Sequence, residues 1–234
     1  MSQETTKISK HEYIIKSLTE KGSMHLDVCA NTHNVFGMIK DKLASMAEQI
    51  RKEVHDKDDR LKVDFIDKNP NEIEFRAGDD MVVAMMHTNI FTFENSHSIM
   101  KTSYVKEDNF RSHCGMISFY NFLADSFTYN RANDIGYLVA RVFINKDMHY
   151  FVEGKRQLGF MHNNFAEDII DDEKLHSILE SAIAYSLDFD MFTPPYNEVS
   201  LLTIREVREN TRSVGVPTGK RLGFKFQSDE DIEA

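Results

Sequence analysis

The clearest feature of the chain is a stripe of apolar residues at helical spacing. Apolar side chains recur every three or four positions from Val35 to Val54, which places them on one face of a helix. Thr32 or Asn34 can accept the hydrogen bonds of an N-terminal cap. We therefore predict a long amphipathic helix over residues 32–55.

A weaker pattern of the same period precedes this stripe. It predicts a helix over about residues 5–20 that ends near Gly22. The stripe at 35–54 itself has more apolar positions than a helix with one buried face requires. Helix-mediated self-association is therefore a hypothesis, and we expect a homo-oligomer.

From Leu61 onward the apolar positions alternate with polar ones, which is typical of a strand with one buried face. Turn residues separate the successive apolar runs, among them Pro70-Asn71 and Gly78-Asp-Asp80. The runs predict strands over about residues 61–65, 72–76, 81–93, 103–106, 136–144, 149–153 and 222–226.

Residues 116–127 fit two patterns. Their aromatic side chains suit a strand, but the spacing of Phe119, Phe122, Leu123 and Phe127 also fits one helical face, and we interpret the segment as a buried helix.

A second clear helix begins at Asp171 or Asp172 and ends before Pro194-Pro195. The segment 199–208 fits a strand or a short helix.

The order of these elements predicts the fold class. Strands follow one another through short turns without a helix between each pair, which favours an α+β fold with a mostly antiparallel sheet and helices packed on it. No Gly/Ser-rich linker divides the chain, so we predict one domain over residues 1–227 and a frayed acidic tail at 228–234.

Composition limits the class of protein. Thirty-eight acidic residues against 28 basic ones give a net charge of −10, which argues against nucleic-acid binding over the whole surface. The longest uncharged apolar run, 81–86, is too short to span a membrane, and the N-terminus lacks the apolar core of a signal peptide. Two cysteines outside any Cys-x-x-Cys pair indicate free thiols rather than a disulfide framework or a cysteine-rich zinc site. We expect a cytoplasmic protein that does not contact membranes.

One motif suggests catalysis. Asp134 precedes the predicted strand 136–144, and Glu153-Gly-Lys155 ends its hairpin partner. The arrangement resembles that of many metal-dependent nucleases, in which an Asp and a Glu-x-Lys on neighbouring strands hold a divalent ion. Asp134 and Glu153 would then bind Mg²⁺ or Mn²⁺, and Lys155 would position the attacking water.

Two similar basic segments suggest anion binding. Gly154-Lys-Arg-Gln-Leu-Gly-Phe160 is echoed by Gly219-Lys-Arg-Leu-Gly-Phe224, and each places two cations between glycines. We identify Lys155, Arg156, Lys220 and Arg221 as the candidate anion-binding residues, because lysine and arginine bind phosphate and carboxylate groups. Residues 204–226 contain six basic and two acidic side chains, a local charge of +4. Neither segment has the spacing of a phosphate-binding Walker A loop.

Histidines and aromatic residues are more typical of packing than of chemistry. No pair of histidines has the spacing of a helical metal site, and His113-Cys114 are neighbours whose side chains would point to opposite faces of a strand. Fifteen of the 25 aromatic residues lie within 90–165 and can fill a core or line a pocket.

The sequence therefore favours a binding protein without obvious catalytic machinery and with no cofactor. Its partner would be an anionic ligand or an acidic protein surface, contacted through the two basic segments. The alternative is a nuclease or phosphodiesterase dependent on Mg²⁺ or Mn²⁺, with nucleic acid as its substrate. A third possibility is a structural component of an assembly.

Overall fold

The computed structural model describes residues 9–205, apart from the single positions 156, 189, 191, 192, 194 and 202. Six strands form one antiparallel sheet in the order β1-β2-β3-β4-β5-β6, so each strand pairs with its neighbours along the chain. The strands are β1 Val63–Asn69, β2 Glu72–Ala77, β3 Asp80–Met86, β4 Cys114–Leu123, β5 Tyr137–Asn145 and β6 Tyr150–Gly154. The α+β fold class is confirmed.

Seven α-helices accompany the sheet among the described residues. They are α1 Lys10–Ser17, α2 Ser23–His55, α3 Ser103–Glu107, α4 Ala124–Thr128, α5 Gln157–Met161, α6 Asp172–Leu187 and α7 Tyr196–Val199. No helix in the described ranges is both long and apolar enough to cross a membrane.

The main core lies between α2, α6 and one side of the sheet, which we call the helix face. Val35, Ile39 and Leu43 of α2 are almost fully buried there, as the apolar stripe predicts. Leu175 and Ile178 of α6 belong to the same cluster. The stripe is therefore used mainly within the chain, although Ile50 and Val54 are only half-buried. Helix-mediated self-association stays a prediction.

The N-terminal helices differ from the prediction. Residues 18–22 form a π-helical turn that joins α1 to α2, so the chain is helical from Lys10 to His55 and does not end a helix near Gly22. α1 has no buried residue and its Ile14 is 53% exposed, and Leu18 of the π-helical turn is 67% exposed. α2 begins at Ser23 rather than near residue 32 because Met24 and Val28 are also buried.

The segment predicted as a buried helix at 116–127 is mostly strand β4, and that prediction is wrong. β4 pairs with β3 on one side and β5 on the other, and only Ala124–Thr128 are helical. Ile117 and Phe119 belong to the main core, whereas Met116 packs on the other side of the sheet. Apolar residues on both sides of a strand remove the alternation that would have identified it.

Two predicted strands are also wrong or too long. Residues 103–106 lie in α3, whose N-cap Thr102 accepts a hydrogen bond from the backbone of Val105. The strand predicted over 81–93 ends at Met86, and Phe91 forms only an isolated bridge with Cys114. Short polar side chains that cap a helical turn override the strand preference of the residues around them.

Two predicted turns are confirmed. Gly78 begins the β2–β3 turn with a φ of 62°, a conformation that glycine adopts without strain. The β5–β6 turn is built on Asn145, whose side-chain oxygen accepts hydrogen bonds from the backbone N–H groups of Asp147 and His149.

The second clear helix is confirmed as α6. Asp171 caps it by accepting a hydrogen bond from the backbone N–H of Lys174. The predicted strand 222–226, the tail 228–234 and positions 202 and 206–208 lie outside the described residues.

The opposite side of the sheet, which we call the second face, carries a smaller core. Phe143 and Phe151 lie on neighbouring strands with their rings stacked at 4.8 Å, and Phe93 and Phe165 pack edge-on against Phe151. The aromatic residues concentrated in this part of the chain therefore fill a core. Elsewhere on this face Ile66, Met85 and Leu138 are 40–46% exposed.

Candidate binding surfaces

Glu153 lies on the second face, bound to side chains of its own chain. It pairs with Arg141 across the β5–β6 ladder, and the two side chains form an ion pair. His97 Nε2 lies 3.6 Å from the other carboxylate oxygen. The sequence places Glu153 opposite Ala140, one residue away from the observed register, and such a shift moves a side chain to the other face of a sheet.

Asp134 is held separately, in the loop before β5. Its side chain is only 4% exposed, accepts a 2.6 Å hydrogen bond from the Ser126 hydroxyl and lies 3.1 Å from Arg131 Nε. Ser126 belongs to α4, so this carboxylate ties α4 to the start of β5. These contacts give Asp134 a structural role.

The two carboxylates of the nuclease hypothesis thus bind different arginines. Arg141, opposite Glu153, is four residues beyond Tyr137, which corresponds to about 13 Å of strand. Asp134 precedes Tyr137. No cluster of three or more His, Cys, Asp or Glu side chains within the described ranges could hold a metal ion. The metal-dependent hypothesis stays a prediction, and the contacts of these residues do not favour it.

Lys155 is the described cation of the first basic segment. It follows β6, is exposed, and its ammonium group forms no ion pair with any described residue. Leu158, three residues later, is 2% exposed and anchors the segment in the main core. Lys155 is therefore presented to solvent from a fixed position.

The glycines on either side of this segment are needed for close packing. A Cβ on Gly159 would lie 2.7 Å from the carbonyl oxygen of Gly154, and one on Gly154 would lie 2.8 Å from the Leu158 side chain. Glycine can let backbone N–H groups approach an anion, but these contacts give the two glycines a packing role instead. The glycines allow a compact turn that supports Lys155.

Lys155 borders a cleft of about 340 Å³ between the end of β6, α5 and α6. Leu158 and Tyr185 form its apolar part, and Glu180 and Asp188 its acidic part. Glu180 also lies 3.2 Å from His176 Nε2 on the same helix. Among the described residues, the lining of the cleft therefore includes the cation Lys155 and the carboxylates of Glu180 and Asp188.

A second cleft, of about 560 Å³, lies between α2 and the β1–β2 turn. Its cation, Lys40, donates a 2.6 Å hydrogen bond to Asp67 and another to the Asn69 carbonyl. Lys40 is thus neutralised within the chain, whereas Lys155 is not. Arg156, Lys220 and Arg221, the other candidate anion-binding residues, lie outside the described residues.

The described histidines in the sheet region have structural partners. His162 is buried with its Nδ1 atom 3.0 Å from the Tyr150 hydroxyl, and His149 Nδ1 lies 3.0 Å from the Phe165 carbonyl oxygen. Burial lowers the pKa of His162 and of His113, so both favour the neutral form. Burial also raises the pKa of the Cys114 thiol, which disfavours the nucleophilic thiolate.

Sequence analysis missed one surface, the outer edge of β1. The opposite edge of the sheet is covered, because the backbone N–H groups of Tyr150 and Val152 donate to the carbonyls of Asp168 and His162. No strand within the described part of the chain pairs with the outer side of β1. The alternation at 61–65 predicts a strand but contains no signal for its position at an edge.

Three comparisons place this chain relative to known proteins. No protein-family model matches it, and neither does any curated protein or any solved structure. Its function is therefore inferred from its own geometry.

Proposed function

We propose that this protein binds an acidic macromolecular partner, and that Lys155 and the second basic segment provide its cationic contacts. The observation that supports this most directly is Lys155 itself, an exposed cation at the mouth of a cleft with no acidic partner among the described residues. Since the chain has a net charge of −10, a site for an acidic partner depends on such a local cation.

Three other cations of the sheet region are already paired within the chain. Arg141, Lys68 and Lys146 each lie within ion-pair distance of a carboxylate of their own chain. A cation that is already paired gains less from an external anion, because binding must compete with the internal partner. No carboxylate in the described part of the chain imposes this cost on Lys155.

The charges around the cleft indicate the kind of partner. Glu180 would repel a small, multiply charged anion that entered the cleft beside Lys155. A carboxylate on the surface of a larger partner can approach Lys155 from solvent without entering. The proposal therefore favours an acidic protein surface over a free phosphate or nucleotide.

A charge-reversal experiment tests the proposal. The probe is fluorescein-labelled poly-L-glutamate, and its binding is followed by fluorescence anisotropy. The variant carries Lys155→Glu, Lys220→Glu and Arg221→Glu. The control carries Lys52→Glu, Lys57→Glu and Lys62→Glu, three exposed lysines that give the same net charge.

We expect the dissociation constant of the variant to rise about tenfold, which corresponds to about 1.4 kcal/mol, and that of the control to rise much less. Equal weakening in both triple variants would show that only the total charge matters and would refute the proposal. Absence of binding by the wild-type protein would refute it as well. Inorganic phosphate as a competitor tests the choice of partner. If this small anion displaces the probe stoichiometrically, the proposal that the partner is a macromolecule is contradicted.

A further inference from the structure

The outer edge of β1 presents unpaired backbone groups. The carbonyl of Lys62 accepts a hydrogen bond from Gly78 on the β2 side, whereas that of Val63 accepts one from Arg51 Nε at 2.6 Å on the outer side. Because successive residues of a strand point their backbone groups in opposite directions, Phe65 and Asp67 also point outward. No described residue bonds the backbone N–H and C=O groups of these two residues.

We propose that two copies of this chain pair antiparallel through β1, about a two-fold axis at Ile66. Phe65 of each copy then lies opposite Asp67 of the other. Four backbone hydrogen bonds form, since each Phe65–Asp67 pair exchanges two. The two six-stranded sheets become one continuous sheet of twelve strands.

The side chains on the second face are self-complementary in this register. Ile66, which is 42% exposed, meets Ile66 of the other copy at a non-hydrogen-bonded position, where cross-strand side chains are closest. Asp64 of each copy lies opposite Lys68 of the other. The pairing therefore buries an exposed apolar side chain between two ion pairs.

The internal contacts of these charges extend the complementarity. Arg51 Nη2 lies 3.3 Å from the Asp64 carboxylate, and Lys68 Nζ lies 3.1 Å from the carboxylate of Glu74, whose side chain is 4% exposed. Across the two-fold axis, Arg51 and Asp64 of one copy are followed by Lys68 and Glu74 of the other. The four side chains form a row in which positive and negative charges alternate. An extended segment of another protein could use the same backbone groups, but only a second copy brings this charge order with it.

Cross-linking tests the register. In a Cys29→Ser background, Ile66→Cys places two thiols at adjacent non-hydrogen-bonded positions, where a disulfide fits between strands. The control is Met85→Cys, a similarly exposed position on β3. We expect a disulfide-linked dimer from Ile66→Cys under mild oxidation and none from Met85→Cys.

Sedimentation velocity tests the association. We expect the wild-type protein to show a species of twice the chain mass of 27.1 kDa as its concentration rises. Ile66→Lys should remain a monomer, because it places two ammonium groups at the axis. We expect the substitution to preserve the fold, since Glu74 lies directly opposite within the same chain. Met85→Lys is the control and should still dimerise.

A wild-type protein that stays monomeric at every concentration would overturn the proposal. So would a dimer that survives Ile66→Lys, or one in which Ile66→Cys fails to cross-link, since either result places the interface elsewhere. If Ile66→Lys fails to fold, the cross-linking result decides.

Discussion

Removing the Asn145 side chain should strongly destabilise the protein. Asn145 is fully buried at the end of β5, and its side chain makes four hydrogen bonds. Its oxygen accepts from the backbone N–H groups of Asp147 and His149 at 2.9 and 3.0 Å. Its nitrogen donates to the Tyr104 hydroxyl and the Arg111 carbonyl at 3.0 and 3.2 Å.

The cost of Asn145→Ala can be worked out from these partners. A buried hydrogen bond contributes about 1 kcal/mol, so four bonds correspond to about 4 kcal/mol. Tyr104 keeps part of its share, since its hydroxyl also donates to Asp147. We therefore expect the free energy of unfolding to fall by about 3 kcal/mol, or about 6–12 °C in melting temperature for a chain of this size.

Urea unfolding followed by far-UV circular dichroism measures this change, because the chain has no tryptophan to serve as a fluorescent probe. Asn164→Ala is the control. Its side chain bonds only Glu167 at an exposed position, so we expect a loss below about 0.5 kcal/mol. A loss below about 1 kcal/mol for Asn145→Ala would refute the reasoning, since water would then be replacing the lost partners.

Three further predictions concern pH, glycine and apolar packing. Burial lowers the pKa of His113 and His162, so below about pH 6.5 the unfolded chain binds protons that the folded chain does not. The urea midpoint should therefore fall as the pH is lowered from about 7 to about 5, and an unchanged midpoint would contradict this. Gly159→Ala should destabilise the fold by about 1–3 kcal/mol because its Cβ meets the Gly154 carbonyl, whereas Gly37→Ala, in open space within α2, should stabilise it by about 0.5–1 kcal/mol. Denaturant unfolding curves that rank the two variants in the opposite order would refute this. Leu43 is buried and Leu18 is exposed, so the free energy of unfolding should fall by about 2–5 kcal/mol in Leu43→Ala and by less than about 0.5 kcal/mol in Leu18→Ala. Equal losses would show that Leu18 is covered in the folded chain.

Local pattern was sufficient to predict much of the fold. The stripe from Val35 to Val54 identifies α2, which has one buried face, and the turn residues before Glu72 and at Gly78 delimit the first hairpins. β4 gave no such signal, since it is buried on both faces between two strands. The periodicity of a sequence records burial, and it fails where burial is not one-sided.

The candidate site depends more on register, which the sequence did not specify. If the β5–β6 register is placed one residue off, Glu153 no longer lies opposite Arg141. The ion pair that engages the Glu153 carboxylate is then not predicted. That no described carboxylate pairs with Lys155 can be recognised only from the three-dimensional contacts. The open edge of β1 depends on strand order, which pattern alone does not reveal.

The exposed residues of α1 and of the π-helical turn after it are a second apolar surface. Tyr13, Ile14, Ile15 and Leu18 are 49–67% exposed, and they lie before the first buried residue of α2, Met24. The structure contains no feature that specifies what covers them. The Ile66→Lys experiment separates the two surfaces, because association through α1 would survive that substitution.

The most direct test of the proposed function is the charge-matched comparison of dissociation constants for poly-L-glutamate. A larger loss of affinity in the variant reversed at Lys155, Lys220 and Arg221 than in the variant reversed at Lys52, Lys57 and Lys62 is the predicted result. Equal losses in the two variants would contradict it, because the cations singled out by position would then contribute no more than any other surface lysine.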